Sequence, residues 1–217
     1  MTQKPFSHAR FKEMPLIGIL RKMPADSLYK LADIYQNSGL TTLEITMNSP
    51  GAVEMIYALA KKFPNLNIGA GTVCNLKDLS KAQDGGASFV VTPVLDEAVI
   101  KACKQASLPV FPGAFSPTEI YRAWQAGADM VKVFPAGRLG AAYLKDVSGP
   151  LDQVKLLAVG GVGLENMTEF LKAGAQGLGL GSSLFPKELI EQEKWKSLEA
   201  HFQAFVEKYQ SYTSQAT

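Results

Sequence analysis

Lys132 has the most chemistry to offer of any residue in this chain. It stands inside Ala128-Asp129-Met130-Val131-Lys132-Val133-Phe134-Pro135, a run that otherwise reads as a buried β-strand. Taking an ammonium out of water without a partner costs several kcal/mol or drives its pKa well below the reference of roughly 10.4. An amine held partly neutral is what attack on a ketone to form a Schiff base requires. The competing reading is an edge-strand lysine that carries its charge out to water. Glu44 sits in a second apolar run, Thr42-Leu43-Glu44-Ile45-Thr46, and Arg21 follows a third. Two further runs end in Gly160-Gly161-Val162-Gly163 and Gly181-Ser182-Ser183, where backbone N–H groups can approach an anion such as phosphate, with Ser hydroxyls and a following helix N-terminus completing the cradle. Tight turns alone account for one glycine loop more easily than for two. A lysine nucleophile, a carboxyl that shuttles protons, a cation and a phosphate clamp together suit carbon–carbon cleavage through an iminium, with the protonated imine as electron sink.

These residues need a scaffold, and the chain repeats one. A short apolar run, a turn with Gly, Pro or Ser and an amphipathic stretch of helical period recur eight times, the runs starting about every 20 to 26 residues. The runs occupy 16–20, 42–46, 67–72, 88–92, 109–112, 130–134, 155–159 and 177–180. Helical stretches include 26–36, 52–62, 96–106 and 165–173, several closed by glycine at Gly39, Gly85, Gly127 and Gly174. The expected fold class is α/β, a compact (β/α)8 TIM barrel forming one domain over residues 1–217. A short N-terminal lead-in would precede it, and a last helix over 195–209 would end in a polar tail at 211–217. An open doubly wound sheet is the alternative, but no Gly-x-Gly-x-x-Gly turn follows the first run.

Strand alternation then assigns faces. Val131, Val133, Leu43 and Ile45 suit a helix-facing layer, which leaves Met130, Lys132, Phe134, Thr42, Glu44 and Thr46 pointing into the barrel. Lys132 and Glu44 can therefore meet, as catalytic partners or as a structural ion pair. Glycine loops after the seventh and eighth runs lie where barrels of this kind bind phosphate.

The composition excludes other classes. With 47% hydrophobic and 19% charged residues and a net charge of +2, the chain offers no basic surface for nucleic acid or anionic membrane. No apolar stretch approaches a membrane span, and residues 1–8 lack a signal-peptide core, so the expected location is cytoplasmic. The two cysteines, Cys74 and Cys103, share no motif spacing and read as reduced thiols. The two histidines, His8 and His201, fall at no strand end, which argues against a His-based metal cluster or a Ser-His-Asp triad.

Leu43-Glu44-Ile45-Thr46, Gly69-Ala70-Gly71-Thr72-Val73, Lys132-Val133-Phe134-Pro135-Ala136 and Val159-Gly160-Gly161-Val162, in this order and spacing, closely resemble the class I 2-keto-3-deoxy-6-phosphogluconate (KDPG) aldolases. That group also contains 4-hydroxy-2-oxoglutarate (KHG) aldolases and 2-keto-3-deoxy-6-phosphogalactonate aldolases. The resemblance spans nearly the whole chain. It implies a homotrimer of (β/α)8 barrels, without metal or organic cofactor. The reaction would be the Entner-Doudoroff cleavage of a phosphorylated 2-keto-3-deoxy sugar acid to pyruvate and D-glyceraldehyde 3-phosphate, or glyoxylate from the hydroxyoxoglutarate. By resemblance Lys132 is the Schiff-base lysine and Glu44 the general acid/base. Thr72 would hold the pyruvate carboxylate or keto group, Pro93 and Phe134 would shape the pocket, and Gly160, Gly161, Ser182 and Ser183 would contact phosphate.

The chain departs from some members in two places. Where they carry a carboxylate-binding arginine after the glutamate strand, it has Met47-Asn48-Ser49-Pro50, which leaves Arg21 as the available cation. Val159 stands where members strict for the gluconate epimer tend to carry Thr, so both epimers are expected as substrates. A sugar-phosphate isomerase or epimerase, or a noncatalytic phosphometabolite-binding protein, would keep the phosphate loops without the imine.

Overall fold

The computed structural model describes residues 4–216. Its strands are β1 (Leu16–Leu20), β2 (Thr42–Thr46), β3 (Asn67–Gly71), β4 (Val90–Val91), β5 (Val110–Phe111), β6 (Gly113–Ala114), β7 (Val131–Val133), β8 (Leu156–Val159) and β9 (Ala175–Leu180). The helices are α1 (His8–Glu13), α2 (Leu28–Asn37), α3 (Ala52–Lys62), α4 (Leu76–Asp84), α5 (Glu97–Gln105), α6 (Pro117–Gln125), α7 (Ala136–Ser148), α8 (Met167–Lys172), α9 (Lys187–Glu191) and α10 (Trp195–Ala216).

The strands form one parallel sheet in the order β5-β4-β3-β2-β1-β9-β8-β7-β6. β1 is bonded to both β2 and β9, and β5 and β6 are the two halves of a single stave separated by Pro112. A proline has no N–H for a ladder, so the stave breaks there. Its carbonyls still bond: Asp129 N–H donates to Val110 O at 3.0 Å, Lys132 N–H to Pro112 O at 2.8 Å and Phe134 N–H to Ala114 O at 3.0 Å. The ring therefore closes as eight staves, an α/β barrel, and an open doubly wound sheet is ruled out.

Side chains separate into two shells, as a pleat of period two requires. Leu43, Ile45, Val131, Val133, Leu156 and Leu178 pack outward on the helices. Ile17, Ile19, Phe89, Val91, Phe111, Met130, Leu157 and Val159 fill the interior. The N-terminal lead-in proves to be part of that interior. Phe6, just before the short helix α1, and Phe11, within it, pack on Phe89 and Phe111, closing the end of the barrel where the strands begin. Buried Asn67, first residue of β3, fixes this plug by accepting from Ser7 N–H at 2.8 Å and donating to Ser7 O at 3.2 Å. Residues 1–3 of the lead-in lie outside the described residues.

Two further expectations change. The polar tail at 211–217 continues α10 to Ala216, with the Thr213 and Ser214 hydroxyls donating back to Gln210 O at 2.9 Å; Thr217 lies outside the described residues. After α4 the left-handed residue is Gly86 (φ 78°), one place beyond Gly85. No helix among the described residues is long and apolar enough to cross a membrane.

Candidate active site

The C-terminal ends of β1, β7, β8 and β9 surround a cavity of about 970 Å³. Lys132, Arg21, Phe134, Val159, Gly160, Gly161, Ser182 and Ser183 all line it. β7 points Lys132 inward because its neighbours Val131 and Val133 are taken up by the helix layer. Only 5% of Lys132 is exposed, and its Nζ lies 4.9 Å from the centre of the Phe134 ring. Among the described residues no carboxylate oxygen comes within 4.0 Å of that Nζ. The direct ion pair that the sequence allowed is therefore not formed.

Glu44 is brought in from β2 by the same alternation. It is 2% exposed, and its Oε2 is buried without a hydrogen-bond partner. The carboxyl packs against the backbone of Gly71: a Cβ there would lie 2.2 Å from Oε1, so the side chain fits only because position 71 has none. Burial pushes the Glu44 carboxyl up to about 7, against the pull of the Lys132 and Arg21 charges. Burial likewise holds the Lys132 amine below its ordinary range, with Glu44 opposing and Arg21 assisting. The site thus combines an amine whose pKa burial lowers with a carboxyl able to give and take a proton near neutrality, the pairing that nucleophilic and acid–base chemistry on a carbonyl demands.

The glycine loops meet beside this pair. Gly160 (φ 86°) and Gly161 (φ 77°) are consecutive left-handed residues, a path that glycine follows without strain. Gly137 N–H donates to Gly160 O at 2.7 Å, and a Cβ on Gly137 would lie 2.8 Å from the Gly161 Cα. The first turn of α7, which follows the lysine strand, and the loop after β8 are therefore in backbone contact. Among the described residues the N–H groups of Gly161, Ser182 and Ser183 take no protein acceptor, leaving them for an anion. A helix N-terminus was expected to complete this cradle. Instead α8 and α9 are only six and five residues long and begin beyond it, behind Asn166 and Pro186, so the cradle is made of turns. Ser183 also differs from a simple contact residue. Its Oγ proton goes to Val162 O at 2.6 Å, which leaves the hydroxyl free only to accept from a ligand.

Arg21 is exposed on the cavity rim. The next residue, Lys22, donates its N–H to Ser49 Oγ at 2.9 Å, and Ser49 Oγ lies 3.0 Å from Thr46 Oγ1. The loop carrying Arg21 is thereby tied to the turn carrying exposed Asn48. Thr72 and Pro93 are not part of the cavity wall. Thr72 takes a left-handed conformation (φ 57°) at the end of β3 and accepts from Cys74 Sγ at 3.5 Å, while Pro93 follows β4 with its carbonyl group packed against Gly113. His201 was not anticipated: it reaches the cavity from α10 and touches Ser183. No spacing rule connects it to a loop 18 residues earlier. Among the described residues no three His, Cys, Asp or Glu side chains gather as metal ligands.

Comparison with known proteins agrees with this geometry. Residues 8–201 match the model of the family "KDPG and KHG aldolase". The chain is 34% identical over 197 residues to the 2-dehydro-3-deoxy-phosphogluconate aldolase of Pseudomonas aeruginosa, covering 90% of this chain and 88% of that one. It is 33% identical over 175 residues to the 2-dehydro-3-deoxy-6-phosphogalactonate aldolase of Escherichia coli, covering 80% and 85% respectively. Among solved structures it resembles the KDPG aldolase of Legionella pneumophila with pyruvate captured at low pH as a covalent carbinolamine intermediate. That match has a TM-score of 0.84 and 29% identity, and covers 90% of this chain and 96% of the other. A barrel with a buried lysine and carboxyl at its mouth, matched by these relatives along most of its length, belongs to the KDPG and KHG aldolase family.

Proposed function

We propose that this aldolase cleaves 2-keto-3-deoxy-6-phosphogluconate and its galactonate epimer to pyruvate and D-glyceraldehyde 3-phosphate through an imine on Lys132. It would also take 4-hydroxy-2-oxoglutarate, releasing pyruvate and glyoxylate. The observation that carries the reading is the Lys132 amine, buried at the cavity floor, depressed by desolvation and without a carboxylate contact among the described residues, with Glu44 nearby at about 7. The neutral Nζ attacks the C2 ketone, and Glu44 donates the proton with which the carbinolamine hydroxyl leaves as water. The Glu44 carboxylate then takes the proton of the C4 hydroxyl. The C3–C4 bond breaks, its electron pair enters the iminium to form an enamine, and the aldehyde departs. Protonation at C3 and hydrolysis release pyruvate and restore the amine.

In this assignment Arg21 faces the substrate carboxylate and Phe134 and Val159 form the apolar wall. The N–H group of Gly161, on the loop that Gly160 shapes, and those of Ser182 and Ser183, on the loop after β9, receive the phosphate. Thr72 and Pro93 bound the pyruvate end from beyond the cavity wall. The chain works as a single domain, in the cytoplasm, as a homotrimer.

Treating the enzyme with pyruvate and borohydride should abolish activity and leave a reduced pyruvyl adduct on the Lys132 peptide. An unmodified Lys132 peptide in inactivated enzyme, or full activity in Lys132→Ala, would overturn the mechanism.

A further inference from the structure

The outermost helix of the barrel takes part in the candidate phosphate site. His201 lies on α10, lines the cavity, and places Nε2 2.8 Å from the carbonyl oxygen of Ser183. A carbonyl has no proton to give, so Nε2 carries the hydrogen and donates it. The ring is held edge-on against Phe205, one helical turn further along, with centroids 5.3 Å apart and planes at 79°. Phe202 and Phe205 are fully buried, so this part of α10 is fixed to the barrel.

Ser183 passes the constraint on. Its hydroxyl donates to Val162 O, while Asn166 accepts from Gly163 N–H and donates to Gly161 O, both at 2.9 Å. The turn around Ser183 is closed from its other side by Gly181 O, which accepts from Leu184 and Phe185 N–H at 3.0 Å. His201 is thus the anchor of a hydrogen-bonded relay that runs from α10 through Ser183 to the 160–163 loop. Lys187, also on the cavity wall, is exposed, with its Nζ 3.3 Å from Glu191. Donors that must meet a phosphate without reorganising have to be held in place beforehand.

We propose that His201 is a positioning residue for the phosphoryl end of the substrate, holding the turn that carries the Ser182 and Ser183 N–H groups in register with the glycine loop. The proposal rests on the reading that phosphate binds at these two loops. Its effect falls on binding of phosphorylated donors rather than on imine chemistry at Lys132.

The test compares wild type, His201→Ala and His201→Gln on 2-keto-3-deoxy-6-phosphogluconate and on the same acid without phosphate. Glutamine keeps an N–H donor at similar reach. His201→Ala should raise KM for the phosphorylated donor about 2- to 10-fold, the scale of one intramolecular hydrogen bond, with kcat moving much less. The ratio of kcat/KM between the two donors should fall by the same factor, and His201→Gln should recover most of it. Equal losses on both donors, an unchanged KM in His201→Ala, or a glutamine variant no better than alanine at wild-type Tm would each refute the role of His201. If the wild-type enzyme itself does not favour the phosphorylated donor, the phosphate reading fails first and takes the proposal with it.

Discussion

Replacing Gly71 by alanine tests the placement of the Glu44 carboxyl directly. Gly71 lies outside the left-handed region, so alanine meets no backbone penalty there. What it meets is Glu44: the new Cβ would stand 2.2 Å from Oε1 and 2.6 Å from Cδ, where ordinary contact begins at 3.4 Å. The carboxylate is the movable partner and must retreat by about 1 Å, a displacement that costs a positioned catalytic group roughly 100-fold in rate, or about 2.7 kcal/mol. Gly71→Ala should therefore lower kcat about 100-fold in an assay coupled to pyruvate release, with KM and Tm little changed. Gly69→Ala, two residues earlier on the same strand, makes the contrast. Its Cβ would come within 2.4 Å of the fully buried Phe89 ring, so it should act as an overpacked core residue costing about 1–3 kcal/mol. That variant should lose roughly 2–12 °C in Tm while kcat stays within a few fold. A Gly71→Ala enzyme with wild-type Tm and kcat within threefold would mean that proton transfer does not depend on where Glu44 Oε1 sits.

Glu44 also leaves a mark on stability. Its folded pKa of about 7 lies above the ordinary carboxyl value of 4.5, so its favourable contribution is complete below about 4.5 and is lost as pH rises through 7. Glu44→Gln should therefore melt higher than wild type at pH 8, by the equivalent of about 3 kcal/mol, with the gap closing toward pH 4. The same variant should cut kcat by roughly 10²–10⁴ with little change in KM; a change confined to KM would refute the acid–base role. Arg21→Met should weaken use of free pyruvate in the reverse aldol reaction by roughly one to two orders of magnitude, the worth of a charge-assisted contact. Because the Lys22–Ser49 hydrogen bond ties the two loops together, Asn48→Arg should restore part of that loss, and an unchanged KM for pyruvate in Arg21→Met would remove the assignment. Wild type should cleave both the gluconate and galactonate phosphates, and Val159→Thr, putting a hydroxyl on the cavity wall, should shift preference toward gluconate. A strong wild-type preference for gluconate, unaltered by Val159→Thr, would place selectivity elsewhere.

What could be read from the sequence was what local period and residue type determine. Leu43 and Ile45 around Glu44, and Val131 and Val133 around Lys132, specify faces through alternation alone, and the two ionisable groups do share the barrel interior. Their separation was not legible, because it depends on how eight staves close around a common axis. Nor was the split of the fifth stave, since only closure shows that both sides of Pro112 remain bonded. Ser183 illustrates a different limit: its residue type names a hydroxyl, but only the tertiary structure shows that Val162 already takes the proton. His201 depends on a helix returning to a loop it follows by 18 residues, and a single imidazole on an amphipathic helix carries no local signal. Thr72 and Pro93 occupy the expected strand ends, yet the cavity opens beside β1, β7, β8 and β9 instead. The helix around 8–13 is too short to display a period, so Phe6 and Phe11 gave no hint of their destination.

That destination affects how the chain is made. Phe6 packs on Phe89 and Phe111, and Ser7 is clasped by Asn67, so the plug cannot be complete until synthesis has reached Phe111. At about 5–20 residues per second, roughly 5–20 s separate the synthesis of Phe6 from that of Phe111. Until then the Phe6 and Phe11 rings lack the Phe111 partner they have in the folded barrel. The plug is thus translated before each stave it packs on, and its seating reports that those staves have come together.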